Sequence, residues 1–106
     1  MRQVKVDFAA LPWEEPAPGV RFKAMIRGNQ RLRLVEFTNE FIEHDWCLKA
    51  HIGYVLEGEL EITFDDATER LTAGDGVFIT GGEQERHRAR LKGTAVARLI
   101  LVEEAE

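Results

Sequence analysis

The chain is short of cysteine, proline and positive charge, and it has no long apolar run. A single cysteine, Cys47, in 106 residues cannot close an internal disulfide. The fold must therefore hold without covalent staples, and the thiol is left for packing, ligation or reaction. All three prolines, Pro12, Pro16 and Pro18, fall in the segment "LPWEEPAPG", which reads as a loop because proline withholds a ladder hydrogen bond. No apolar stretch nears the ~18 residues of a membrane span. The start, "MRQVKVDF", lacks the apolar core of ~7 to 15 residues that a secretory signal needs. A water-soluble, cytoplasmic protein without a membrane partner is expected. Lysine and arginine number 14 against 19 aspartates and glutamates, for a net charge of −5. Nucleic acid is a poor partner for such a surface, since phosphate binding needs basic charge. No helix-turn-helix segment is legible, so a DNA-binding regulator is excluded for this chain alone.

What remains is a pattern of short strands. One domain, 1–106, is the expectation at this length, with a core large enough to need no second unit. "VKVDF" reads as a first strand. "VRFKAMI", "RGNQ" and "RLRLVEF" read as a hairpin, with Val20, Phe22, Ala24 and Ile26 facing inward. In "YVLEGELEITF", Leu60, Ile62 and Phe64 alternate with polar residues after a bend at Gly58. Further turns at "DDAT", "AGDG" and "GGEQ" separate short strands, and "TAVARLILVEE" supplies a long last one. About ten strands are expected, all antiparallel, and no window carries a helical period. The boundaries are an N-terminal strand and proline loop over 1–19, a barrel over 20–102 and a frayed acidic tail over 103–106. So many strands in so short a chain must close or stack to hide their edges.

The stretch "DWCLKAH" holds the chemistry. If extended, Asp45, Cys47, Lys49 and His51 share one face, and Trp46, Leu48 and Ala50 the other. In "RHRARLK", the row Arg86, Arg88, Arg90 and Lys92 reads as a solvated strand face. Glu85, His87, Ala89 and Leu91 then face inward. An inward histidine is either a hydrogen-bonded core residue or a ligand. Cys47 is either a small buried hydrophobe or a thiol lowered by a metal, an imidazolium or Lys49. Phe22, Phe64, Phe78, Tyr54 and Trp46 are expected in the core and sheet interface, and Trp13 over the barrel mouth or against a second subunit.

"HIGYVLEGELEI" followed by "AGDGVFITGG" resembles the cupin superfamily over roughly 37–102. The first cupin motif runs glycine, five residues, histidine, one residue, histidine, three or four residues, glutamate, six residues, glycine. Here Asn39 replaces the opening glycine, Asp45 and Cys47 take the histidine positions, His51 takes the glutamate position and Gly58 closes the motif. In the second motif Gly74 and Gly82 match, Thr80 replaces the proline, and Glu85 takes the histidine position with His87 two places later. The resemblance implies an all-β fold, a cupin-type jelly-roll barrel, and a metal centre formed by Cys47, His51 and His87 with Asp45 or Glu85 assisting. The expected ion is a divalent transition metal, Zn, Fe, Ni or Cu. Glu85 is the expected catalytic proton carrier for oxygenation or isomerisation of a small metabolite. A metal-free binding or sensor barrel is the other reading, and a homodimer is expected because small cupins commonly pair.

Overall fold

The "VRFKAMI" and "RLRLVEF" hairpin forms as expected, and it seeds the larger of two sheets. The computed structural model describes residues 4–105. Among them, nine strands run as β1 (Glu14–Ala17), β2 (Val20–Arg27), β3 (Gln30–Thr38), β4 (His51–Glu57), β5 (Glu59–Thr63), β6 (Thr68–Thr72), β7 (Gly76–Ile79), β8 (Arg88–Leu91) and β9 (Val96–Glu104). The six-stranded sheet has the order β1-β2-β3-β9-β4-β7, and the three-stranded sheet the order β6-β5-β8. All pairings are antiparallel. The sheets meet face to face around one aliphatic core that joins Val35, Val55 and Leu99 of the large sheet to Leu60 and Ile62 of the small one. Val55 and Val35 are fully buried, each contributing about 1.5–3 kcal/mol relative to exposure.

Alternation decides which residues reach that core. Along β9, Ala97, Leu99, Leu101 and Glu103 are buried while the residues between them are more open. The chain passes from the large sheet to the small one at Gly58, whose φ of +80° is open to glycine at little cost. A Cβ at that position would also lie 2.1 Å from the Val96 carbonyl oxygen.

Several expectations are corrected. Val4–Asp7 are irregular and Phe8–Ala10 form a 3-10 turn, so "VKVDF" is no strand; Met1–Gln3 lie outside the described residues. The proline segment, expected as a loop, contains β1, which tolerates Pro16 because it lies at the sheet edge. Position 103 belongs to β9 and is buried instead of lying in a frayed tail. Phe78 and Tyr54 are 74% and 49% exposed, because alternation with inward Val77, Ile79 and Val55 turns them outward. Trp13 lies under the Arg21 and Lys23 cations, 4.0 and 4.9 Å from its ring centre, against β2.

Candidate metal centre

Three side chains from separate parts of the chain reach one point between the sheets. His51 opens β4. Cys47 lies in the irregular segment before it, and His87 lies just ahead of β8. Two backbone hydrogen bonds hold Cys47 against His87: Cys47 N–H donates to the His87 carbonyl (2.8 Å), and His87 N–H to the Cys47 carbonyl (3.0 Å). The Cys47 sulfur is 3.6 Å from His51 Nε2. The two imidazoles stand edge to face, with centres 5.2 Å apart.

Each histidine is oriented through its other nitrogen. His51 Nδ1 donates to Glu103 Oε2 at 2.6 Å, and His87 Nδ1 donates to the Glu85 carbonyl at 3.0 Å. That arrangement fixes ring position and leaves each Nε2 for another partner. Glu103 is fixed in turn by Arg33, whose Nη2 donates to Oε2 at 2.6 Å while its Nε bonds Oε1. Burial opposes the Glu103 charge, but the hydrogen bonds from His51 and Arg33 outweigh it and hold the carboxyl at about 2.

The same contacts set the protonation of the sulfur. Hydrogen bonds from His51, then His87, draw the Cys47 thiol down to about 5 against the opposing effect of burial. His51 behaves reciprocally: burial disfavours its cation, yet Cys47 and Glu103 together raise it to about 9. His87 is raised too, with burial opposing and the Cys47 hydrogen bond prevailing. Without a bound ion these contacts favour a thiolate facing an imidazolium.

The donor set fits a divalent metal. One donor atom each from Cys47, His51 and His87 lies within 4.8 Å of the others. Sulfur and nitrogen atoms sharing a tetrahedral zinc ion are about 3.5 Å apart, close to the 3.6 Å found between Cys47 and His51. Metal binding would displace the proton shared by this pair.

A cavity of about 290 Å³ opens beside these residues, lined also by Glu43, Lys49, Arg31 and apolar side chains of both sheets. Glu43 Oε1 accepts the Ala89 N–H at 2.8 Å. Burial raises its carboxyl above the usual range, partly offset by that hydrogen bond.

The structure unites Cys47, His51 and His87 but leaves two expected residues out. Asp45 sits at an exposed bend and does not line the cavity, because "DWCLKAH" is a β-strand only at its end. Glu85 belongs to the 3-10 turn Glu83–Glu85, which breaks the alternation assumed from His87 backward. Its carboxylate accepts the Thr80 N–H and hydroxyl, both at 2.6 Å, outside the cavity lining. Sequence reading missed Glu43, Glu103, Arg31 and Arg33. The β9 alternation carried to Glu103 would have found one of them. The "RLRL" stretch would have found two more had its arginines been taken as inward. The row Arg86, Arg90 and Lys92 pairs with Asp65 and Glu61 on an outer face, as a solvated strand surface does.

The cupin domain family model matches residues 36–103, and the chain belongs to that family. Solved structures agree on the fold. The polyketide cyclase RemF from Streptomyces resistomycificus superposes with a TM-score of 0.80 at 21% identity, covering 99% of this chain and 81% of that one. KdgF from Halomonas sp. gives 0.76 at 18%, covering 99% and 96%. HppE in its iron(II) form gives 0.74 at 16%, covering 95% of this chain and 60% of that one. The chain thus spans under two-thirds of HppE. No curated protein matches the chain. Among the described residues, no helix is long and apolar enough to cross a membrane.

Proposed function

We propose that this cupin binds a divalent transition metal through Cys47, His51 and His87 and acts on a small molecule held in the adjoining cavity. The observation that carries this reading is the convergence of three donors within 4.8 Å, each histidine oriented through its Nδ1. When bound, such an ion supplies Lewis acidity or a redox centre suited to isomerisation or oxygenation. Glu103 keeps the His51 ring aligned, and Arg33 keeps Glu103 aligned. Glu43, not Glu85, is the carboxylate placed to accept or return a proton within the cavity, since burial favours its neutral form. Iron, zinc, nickel and copper all suit one thiolate and two imidazoles. A reducing, cytoplasmic setting belongs to this reading, because the sulfur must stay reduced to serve as a ligand.

One observation favours a metal-free binding barrel instead: Cys47 Sγ and His51 Nε2 already satisfy each other across 3.6 Å. Element analysis of protein purified without added metal separates the two. Stoichiometric metal, lost in both Cys47→Ala and His87→Ala, supports the centre. Its absence in the parent after supplementation with each candidate ion retires it.

The reading includes a homodimer, joined through the outer face of the larger sheet. Register aligns Met25, Leu32, Val102, Ile52 and Phe78 across five strands, with Leu34, Ile100 and Tyr54 beside them. A charged row borders this face, where Arg21 and Arg98 both pair with Glu36 and Arg98 also pairs with Glu57. An apolar centre with a rim of both charge signs suits a twofold contact between identical surfaces.

A further inference from the structure

Arg31, Arg33 and Lys49 line the cavity together with Glu43 and Glu103. Arg33 alone satisfies Glu103 as a fork, with Nε on one carboxylate oxygen and Nη2 on the other. His51 adds a further hydrogen bond to the same carboxylate. Arg31 nevertheless enters from the same face of β3, directly opposite Glu103 in the β3–β9 register. Its hydrogen bond to the same carboxylate, Nη2 to Glu103 Oε1, is long at 3.2 Å. Among the described residues, Arg31 Nε is the buried side-chain polar atom without a partner. Lys49 lines the same cavity from the segment before β4.

A guanidinium withdrawn from water needs acceptors for its donors, and a carboxylate already bonded by Arg33 and His51 has little left to offer. The Arg31 side chain is 21% exposed, and its pairing with Glu103 leaves Nε without an acceptor. An arginine whose only role was to neutralise Glu103 would duplicate what Arg33 already does.

We infer that Arg31, with Lys49, receives the carboxylate of a small organic acid that fills the cavity and presents its other end to Cys47, His51 and His87. This rests on the proposed metal reading for the orientation of the ligand, though not for the anion contact itself. The planar guanidinium favours a carboxylate, which it can meet with paired donors. A volume of about 290 Å³ is near the lower end for ligand pockets, which restricts the acid to a small metabolite.

The test is calorimetric titration of oxalate, malonate and succinate into the purified protein, as isolated and after zinc loading, with malonamide as the uncharged control. At least one diacid should bind and malonamide should not. Arg31→Gln should weaken that binding tenfold or more, and Arg31→Lys should restore part of it. Both variants should keep the parent's metal content and circular dichroism. Binding of none of the acids, or equal binding by the parent and a folded Arg31→Gln, overturns the inference. So does inorganic phosphate outcompeting every diacid. Should Arg31→Gln fail to fold, the Arg31→Lys comparison decides: affinity equal to the parent's overturns the role given to the guanidinium. If the parent binds an acid but holds no metal under any loading condition, the metal reading fails and the anion site stands.

Discussion

His51 Nδ1 meets Glu103 Oε2 at 2.6 Å across 52 residues of sequence, tying the first residue of β4 to the end of β9. The two strands are neighbours in the large sheet, so sheet formation itself brings the imidazole to its orienting carboxylate. The contact costs no extra loop, and its removal tests the centre without touching a donor atom.

Glu103→Gln keeps the shape of this side chain and removes its charge. Metal affinity, measured by chelator competition, should fall about 10–100-fold, as for loss of other groups that orient a ligating histidine. Arg33 is then left facing a neutral amide. Unchanged affinity would show that His51 needs no orienting anion.

In metal-free protein, thiolate absorbance should titrate near pH 5, where Cys47 is held by His51 and His87. His51→Asn should move that midpoint upward toward the ordinary thiol value of 9.0. Stability follows with a defined sign. Cys47 is depressed in the folded state, so its contribution is lost as pH falls through about 5. His51 is raised, so its contribution is lost as pH rises through about 9. Between pH 5 and the ordinary histidine value of 6.5 only the Cys47 contribution changes, so urea midpoints should rise there and level off above it, where the two opposite slopes cancel; the His51→Asn variant should flatten that rise.

Phe78→Lys should convert a dimer to a monomer in sedimentation measurements, since this side chain is 74% exposed at one end of the apolar rows. Tyr54→Lys, nearer the centre, should do the same, while metal content stays at the parent's level. A parent that is monomeric at high concentration removes the proposed interface.

Gly53→Ala should destabilise the fold by about 3 kcal/mol or more in urea unfolding, because an added Cβ would sit 1.8 Å from the Ile100 carbonyl oxygen. Gly28→Ala meets nothing within 4 Å and only the positive φ of +58°. It should cost about 1–2 kcal/mol. Equal losses at the two sites would mean that the β4–β9 contact yields easily.

The hairpins and inward aliphatics were legible in the sequence because a two-residue period acts locally and survives without knowledge of partners. Leu60 and Ile62 illustrate this, as does His87. The shared parity of Cys47 and His51 is legible too, although the strand it assumes exists only from His51 onward; Lys49, which reads as a surface lysine, also lines the cavity. Asp45 and Glu85 were misplaced for one reason: each lies beyond a local break, a bend or a 3-10 turn, that resets the phase. Arg31 and Arg33 were obscured by the habit of reading charge as outward. Their inward direction depends on Glu103, some seventy residues later in the chain, with which both form ion pairs.

The paired main-chain bonds between Cys47 and His87 have a consequence for how such a pocket can change over generations. They use only amide and carbonyl groups, so any amino acid other than proline at position 47 is delivered to the same spot. A single codon there can exchange a soft donor for a hard one, or for none, without rebuilding the surrounding walls.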